Sequence, residues 1–214
     1  MLPVVLIGIS LLVRLLVAED ADAAEGTLYG LGLVVIVPLV ALLAMSGLLA
    51  PEIDDGSISY LLAKPISRHT IVASKLVVAI ACVLVFGAIP MFVSGLVLLA
   101  ESPSFAVGFG VASLLGGVAY CAIFALLSVM TRHAVVIGLI YLLVWEGLLG
   151  GLLDGIRWLS ITRWSAEIID QVADLELVDK LPLAYAVIAL AVVVGGGTWM
   201  TGQQLRSFNL TGDE

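Results

Sequence analysis

Six long apolar runs dominate this sequence and leave room for little other than a bundle of membrane-spanning helices. They cover approximately residues 2–18, 28–50, 72–99, 104–130, 134–153 and 183–204. About 20 apolar residues in an α-helix cross the roughly 30 Å hydrocarbon core of a bilayer, and each run reaches or approaches that length. Hydrophobic residues make up 62% of the chain and charged residues only 12%, unlike an ordinary soluble domain. We therefore predict an all-α, polytopic membrane protein with a single transmembrane domain over residues 1–214.

The charge balance and the missing motifs exclude several classes of function. With a net charge of −8, the chain lacks the basic surface that nucleic-acid binding requires. The sequence contains no GxxxxGK(S/T), HExxH or GxSxG motif. Cys82 and Cys121 lie inside apolar runs, and His69 and His133 have no partner for a metal site. We expect no catalytic residue, cofactor or metal site in this polypeptide.

The distribution of lysine and arginine predicts which side of the membrane each segment faces. If the N-terminus is inside, the inner segments hold Lys64, Arg68, Lys75, Arg132 and Arg206. The outer side holds Arg157, Arg163 and Lys180, with Arg14 near its boundary. Because basic loops tend to stay inside, both termini are predicted to be cytoplasmic in a multi-pass protein of the plasma membrane.

The first run is the shortest, and it contains Arg14, whose long side chain can extend to the outer surface. A secretory signal peptide is the alternative, since residues 21–23 (ADA) resemble a cleavage site. No basic residue precedes the apolar stretch, so a membrane span is favoured. The acidic segment 19–25 is then expected to form an outer loop.

Two features predict how the spans pack. Pro90 is expected to kink the helix of the third run. In the fourth run, Gly108, Ala112 and Gly116 recur at a four-residue spacing that lets helix backbones approach closely in lipid. This close contact could form within the chain or with a second subunit, and the sequence leaves both open.

Glu146 is an acid deep inside the fifth run, about 18 Å along a helix that starts at Ala134. A carboxylate at that depth is costly, and by default it marks a functional site, here a position on a substrate pathway. The alternative is an acid that hydrogen-bonds a neighbouring helix or faces water in an outer vestibule.

The long segment 154–182 contains its own helical pattern. The apolar residues Trp164, Ile168, Val172 and Leu175 recur at helical spacing, with acidic residues at other positions. This pattern predicts an amphipathic helix at the outer interface, with Trp158 and Trp164 as interfacial anchors. Glycines at the end of the fifth run also allow the chain to re-enter the outer leaflet, provided that protein or water covers its backbone.

The polar stretch from Pro51 to Lys75 is longer than a turn between two spans requires. It combines basic and acidic residues with a short apolar piece around residues 58–62. Pro65 cannot continue a helix that starts near Ser57, so any helix here is short. Ser67 can cap a third span that begins at Arg68. We interpret the stretch as a docking element on the cytoplasmic face.

This stretch resembles the signature of type-2 ATP-binding-cassette permeases. Residues 52–57 have the sequence EIDDGS, residues 61–68 have the sequence LLAKPISR, and Lys75 follows. The family pattern has Glu, three residues, Gly and Ser or Thr, then Leu-Leu, Pro-x-Ser-Arg and a later Lys. Six spans, inner termini and a long outer segment before the last span extend the resemblance. Residues 145–146 (WE) and 157–160 (RWLS) also resemble bacterial members of the family.

The resemblance implies a function and assigns roles within the stretch. It implies the membrane subunit of a prokaryotic ATP-driven exporter, acting with a second permease copy or paralogue and with separate ATPase subunits that bind ATP and Mg²⁺. A short coupling helix between the second and third spans would seat in the ATPase. Its expected polar contacts are Glu52, Asp55 and Arg68, its anchors are Tyr60, Leu61 and Leu62, and its shaping residues are Gly56, Ser57, Pro65 and Ser67.

One departure and one alternative qualify this prediction. Family members usually carry a basic amphipathic helix ahead of the first span, whereas here Met1 leads directly into the apolar run. The alternative function is a non-transport membrane protein, such as a sensor or an assembly scaffold. Co-purification of a phosphate-loop ATPase would discriminate between the two.

Overall fold

The computed structural model describes residues 1–17, 20–54, 68–131, 133–149, 156–175, 177–178 and 181–207, and the secondary structure within these ranges is helical. Helix α1 covers Leu2–Val17, and α2 runs through Ala21–Gly26, Thr27–Ile36 and Val37–Asp54. Helix α3 runs through Arg68–Val83, Leu84–Ala88 and Ile89–Leu98, and α4 covers Pro103–Met130. Helix α5 consists of Ala134–Ile140 and Tyr141–Leu149, α6 covers Ile161–Ala173, and α7 covers Leu183–Ser207. A short 3₁₀ helix, Ile156–Leu159, precedes α6.

The all-α class is confirmed, and the span count is supported in part. Helices α2, α3, α4 and α7 are long and apolar enough to cross a membrane, over Ala21–Leu49, Thr70–Leu98, Pro103–Met130 and Leu183–Leu205. Helices α1 and α5 are apolar but shorter, with apolar stretches at Leu2–Val17 and Ala134–Leu148. The described residues therefore provide four full-length candidate spans, and the count of six stays a prediction.

Helix α2 begins at Ala21, seven residues before the predicted start of the second run. The expectation of an outer loop over residues 19–25 is wrong for residues 21–25, which form the first turns of this helix. The Asp20 side chain caps the start by accepting the backbone N–H of Asp22 at 3.0 Å. The helix dipole favours acidic residues near a helix N-terminus. The acidic residues of this segment are therefore compatible with a helix and do not require a loop.

Neighbouring helices run in alternating directions. Val37 of α2 and Val83 of α3 both face Gly117 near the middle of α4. Gly95, near the end of α3, faces Ala106, near the start of α4. Helix α3 is therefore antiparallel to α4, and α2 is parallel to it.

The two ends of this bundle are named here after the two ends of α2. The Asp54 end contains the last turn of α2, the first turn of α3, the last turn of α4 and the first turn of α5. The Ala21 end contains the opposite termini of α2, α3 and α4. Helix α7 runs from the Ala21 end to the Asp54 end, with Gly197 against Ala122 of α4 in its second half.

Two prolines coincide with departures from α-helical hydrogen bonding. The π-helical stretch Thr27–Ile36 ends just before Pro38, and Leu84–Ala88 ends just before Pro90. Proline has no N–H to donate, and its ring clashes with the carbonyl four residues earlier, so wider turns ahead of it relieve the clash. Pro90 thus disturbs α3, and it does so through wide turns inside a continuous helix.

The small residues of the fourth run form the contact surface between α4 and α6. A Cβ atom built on Gly108 would lie 3.4 Å from the Cβ of Ala173, and one built on Gly116 would collide with Ser165 Oγ. Glycine is therefore required for the observed separation at Gly116. Of the two alternatives that the sequence left open, the structure shows the close contact within the chain.

Helix α6 lies lengthwise along the first half of α4, with its start opposite Gly116 and its end opposite Gly108. The amphipathic helix predicted over this segment is present, but nine of its 13 residues are buried. Its expected exposure at an interface is wrong for Trp164, Glu167 and Asp170, which are all buried. Whether α6 enters the outer leaflet stays a prediction.

Candidate functional site

Glu146 is buried inside the bundle, where four groups donate hydrogen bonds to its carboxylate. It lies on α5 with only 8% of its surface exposed. Its Oε1 accepts the backbone N–H of Ile161 at 3.0 Å and the hydroxyl of Tyr141 at 3.4 Å. Its Oε2 accepts the hydroxyl of Ser160 at 2.5 Å and the backbone N–H of Thr162 at 3.4 Å.

These contacts place the carboxylate at the N-terminus of α6. The first N–H groups of a helix have no partner within the helix, and the helix dipole favours negative charge beside them. Ser160 is the N-cap residue, and its hydroxyl oxygen also accepts the backbone N–H of Arg163 at 3.3 Å. Glu146 and Ser160 together satisfy the N–H groups of the first turn of α6, which lets this turn lie inside the bundle.

A second polar contact joins α6 to α4 at the same depth. The hydroxyl groups of Tyr120 and Thr162 lie 2.8 Å apart, and both residues are buried. The Tyr120 ring stacks on Phe124 with 5.9 Å between centroids, and Phe124 meets the Tyr141 ring edge-on at 6.3 Å. The start of α6 is thus held by α5 through Glu146 and by α4 through Tyr120.

The other end of α6 is also held by carboxylates. Asp170 accepts the backbone N–H of Leu177 at 2.9 Å through Oδ1 and that of Val178 at 3.2 Å through Oδ2. Glu167 Oε2 accepts the backbone N–H of Leu181 at 3.1 Å. The helix ends at Asp174 in the left-handed conformation, with φ of 57°. These carboxylates accept backbone N–H groups from the connection to α7 and hold those residues against α6, instead of facing water.

An aromatic cluster fixes the 3₁₀ helix to the start of α7. The backbone carbonyl of Trp158 accepts the Trp164 indole N–H at 3.0 Å and the Tyr185 hydroxyl at 2.8 Å. The Tyr185 ring meets both indoles edge-on. Trp145 of α5 donates its indole N–H to the carbonyl of Leu159 at 3.3 Å. Of the two indoles on Tyr185, Trp158 is 47% exposed, whereas Trp164 is a core residue at 4%.

Most residues of the predicted coupling element lie outside the described part of the chain. They are Asp55, Gly56, Ser57, Tyr60, Leu61, Leu62, Pro65 and Ser67. Glu52 lies in the last turn of α2, and Arg68 is the first residue of α3. The structure therefore shows where the stretch is attached, at the adjacent termini of two antiparallel helices. The roles predicted for its side chains stay predictions.

The geometry of Glu146 supports the interpretation of an acid that hydrogen-bonds a neighbouring helix. Both carboxylate oxygens already accept hydrogen bonds, and the carboxylate organises the start of α6. A role on the substrate pathway stays a prediction. Among the described residues there is no group of three or more His, Cys, Asp or Glu side chains that could hold a metal ion.

The partners of Glu146 were not predicted from the sequence. Tyr120 and Tyr141 lie in apolar runs, where each phenol hydroxyl needs a hydrogen-bond partner, and this need is a signal visible in the sequence. Ser160 followed by helical periodicity is a recognisable N-cap. Tyr141 and Ser160 meet on the Glu146 carboxylate, and Tyr120 contacts Thr162 beside it. This arrangement depends on how α4, α5 and α6 pack, and it has no signature in the sequence.

Comparison with known proteins shows the family to which the chain belongs. Residues 9–204 match the sequence model of the ABC-2 family transporter proteins. A comparison with curated proteins gives no match. The matched region includes α2 to α6, the stretch between α2 and α3, and Glu146, and it covers well over half of the 214 residues. The chain belongs to the ABC-2 family of transporter membrane proteins.

Proposed function

We propose that this chain is the membrane-spanning permease subunit of an ATP-driven exporter. The observation that carries the proposal is the family match over residues 9–204 of a chain built from apolar helices. The family implies an ATP-binding partner in general, and we propose that a separate ABC ATPase subunit binds ATP and Mg²⁺. The permease then works with a second copy or a paralogue and contributes no catalytic residue.

The stretch between α2 and α3 is the proposed coupling element. The described part of α2 ends at Asp54 and α3 begins at Arg68, and these helices pack against each other. A force applied to the connection is therefore applied to two packed helices at once. The halves of α2 and α3 next to this connection, Val37–Asp54 and Arg68–Val83, also contact α4. Movement at the Asp54 end is therefore transmitted to the centre of the bundle.

The proposed orientation places the Asp54 end in the cytoplasm of a prokaryotic cell, with both termini inside. It rests on the excess of basic residues in the segments assigned to that side. The Ala21 end then faces outward, and α6 lies in the outer half of the membrane. Glu146 and Ser160 accept hydrogen bonds from the backbone N–H groups in the first turn of α6. A helix can begin at this depth in a membrane only if these groups have such acceptors.

The test is co-purification followed by an ATPase assay. The full chain is expected to retain an ABC ATPase encoded beside it and to stimulate ATP hydrolysis in lipid nanodiscs. Gly56→Val and a Leu61→Ala/Leu62→Ala double variant are expected to abolish the stimulation. Glu101→Ala, an exposed acid at the Ala21 end, is the matched control and should leave it unchanged.

Two results would contradict the proposal. The first is a purified chain that retains no ATPase under conditions in which it stays folded. The second is labelling of a Ser57→Cys variant by a membrane-impermeant reagent from outside intact cells, because this would place the coupling element on the wrong side of the membrane.

A further inference from the structure

An apolar cavity of about 400 Å³ lies where the first residues of α1 meet α2 and α3. Its walls are formed by residues 1–3, Val40, Leu43, Ala44, Cys82 and Phe86. These side chains are apolar, and the Cys82 thiol is at most a weak hydrogen-bonding group. Ligand sites have volumes of roughly 300–1,000 Å³, so this cavity has room for a ligand.

The cavity lies near the middle of the bundle. Val37 and Val83 face Gly117, the fifteenth of the 28 residues of α4. Val40 lies about one helical turn beyond Val37 toward the Asp54 end, and Cys82 directly precedes Val83. Both α2 and α3 are long and apolar enough to cross a membrane. The cavity is therefore at the depth of the hydrocarbon core, where lipid chains surround the protein.

The cavity opens onto the outer surface of the bundle. Of the residues in its walls, Leu43 is 55% exposed and Phe86 is 49% exposed. Helix α1 runs from the cavity to the Ala21 end, where Arg14 donates to the carbonyl of Val97. Residues 1–17 therefore cover the junction of α2 and α3 on the Ala21 side of the cavity. The exposed edges at Leu43 and Phe86 give lipid access to its interior.

The chemistry of the walls limits what can fill the cavity. A buried water molecule needs about 2–4 polar partners, and the described lining side chains offer only a thiol. A charged group would lose its hydration there and find no opposite charge among these side chains. An alkyl chain needs neither, and it restores the dispersion contacts that atoms beside a void lack. The cavity is therefore suited to a hydrocarbon chain.

We propose that the cavity holds one acyl chain of a phospholipid from the bilayer, inserted between α2 and α3 beside the start of α1. The opening is continuous with the exposed apolar surface of two candidate membrane spans, so the bilayer supplies the chain at the right depth. Because the contacts are apolar, the headgroup lies outside the cavity and is not recognised. This inference goes beyond the proposed transport function and does not depend on it.

The two cysteines of the chain provide the first test. Cys82 lines the cavity, whereas Cys121 is buried in the core. The full chain is purified in a bile-salt detergent, which has no alkyl chain, and maleimide labelling is followed by mass spectrometry. Adding palmitoyl-oleoyl phosphatidylcholine is expected to slow the labelling of Cys82 by about fivefold or more. A Cys82→Ser variant identifies the labelled thiol, and equal rates with and without the phospholipid overturn the proposal.

Phospholipid retention in native mass spectrometry gives the second test. Ala44→Phe places a ring in the cavity and is expected to reduce the bound phosphatidylcholine by about fivefold or more. Ala191→Phe is the matched control, because it introduces the same ring at an exposed position of α7. This control should retain as much phospholipid as the unmodified chain. Equal retention by Ala44→Phe and Ala191→Phe overturns the site.

Two comparisons separate the acyl chain from other occupants. Equal retention of phosphatidylcholine, phosphatidylglycerol and phosphatidylethanolamine supports binding through the chain, and a marked preference for one headgroup overturns it. If Ala44→Phe changes the number of protein chains in the complex and leaves the phospholipid count unchanged, the cavity belongs to a contact between two copies, which also overturns the proposal. Labelling of Cys82 needs no substitution, so it decides the question if Ala44→Phe fails to fold.

Discussion

The Glu146 carboxylate accepts the backbone N–H of Ile161 at 3.0 Å, 15 residues further along the chain. This contact connects α5 to the first turn of α6. The donors to Glu146 include two backbone N–H groups, which mutation of neighbouring side chains cannot remove. The Glu146 side chain of α5 therefore positions the start of α6, together with the Tyr120 hydroxyl of α4.

Replacement of Glu146 is expected to destabilise the protein. Glu146→Ala leaves the N–H groups of Ile161 and Thr162 without an acceptor in a buried place, which costs about 1–3 kcal/mol for each unsatisfied group. Glu146→Gln keeps one acceptor oxygen and should have a smaller effect. The measurement is the thermal unfolding midpoint in detergent, with Glu101→Ala as the exposed control. Equal midpoints for Glu146→Ala and Glu101→Ala would show that the cap contributes nothing.

Gly116→Ala is expected to separate α4 from α6. The new Cβ would collide with Ser165 Oγ, and overpacking of this kind costs about 1–3 kcal/mol. Adding Ser165→Ala removes the colliding oxygen and should recover most of the loss. Gly195→Ala is the control, since a Cβ there meets nothing within 4 Å and alanine stabilises a helix by up to about 1 kcal/mol relative to glycine. Destabilisation by both glycine variants alike would contradict the specific contact.

The hydroxyl pair of Tyr120 and Thr162 is expected to show measurable coupling. A double-mutant cycle with Tyr120→Phe and Thr162→Val should give a coupling free energy of roughly 0.5–1.5 kcal/mol, since both groups are buried at 2.8 Å. The free energies are measured by reversible unfolding in mixed micelles. Additive effects would mean that the two hydroxyls find other partners when one is lost.

Asp170 is expected to control the connection between α6 and α7. Asp170→Ala removes the acceptor for the amides of Leu177 and Val178, so these two amides should exchange with solvent about tenfold faster or more. Hydrogen exchange monitored by mass spectrometry measures this on the full chain. Asp22→Ala, an exposed acid near the start of α2, should leave exchange at both amides unchanged.

The helices were predictable from the sequence because apolar runs of membrane length have few alternative structures. The start of α2 was not, since Asp22 and Glu25 interrupt the apolar pattern although the chain is already helical there. Hydropathy measures the transfer of side chains to lipid, whereas the Asp20 cap concerns backbone N–H groups. The two signals therefore disagree at this boundary.

The burial of α6 could not be predicted from the sequence, for a different reason. Periodicity predicted a helix around Trp164 and Ile168 and divided it into an apolar and an acidic face. An acidic helix face predicts exposure to water only if its carboxylates have no hydrogen-bond donors within the protein. Glu167 has one, because it accepts the backbone N–H of Leu181. The four-residue spacing of Gly108 and Gly116 did predict a close helix contact, and its partner became identifiable only in three dimensions.

The wide turns at Leu84–Ala88 have a geometric consequence for the rest of α3. A π-helical turn contains one residue more than an α-helical turn, so it takes up that residue without adding the roughly 100° of rotation that a residue adds in an α-helix. Deleting one residue between Leu84 and Ala88 would therefore let this stretch close into α-helical turns, while the half of α3 that starts at Arg68 keeps nearly its azimuth relative to the half that ends at Leu98. The π-helical stretch thus lets α3 contain one more residue between its two halves without turning the end that carries Arg68.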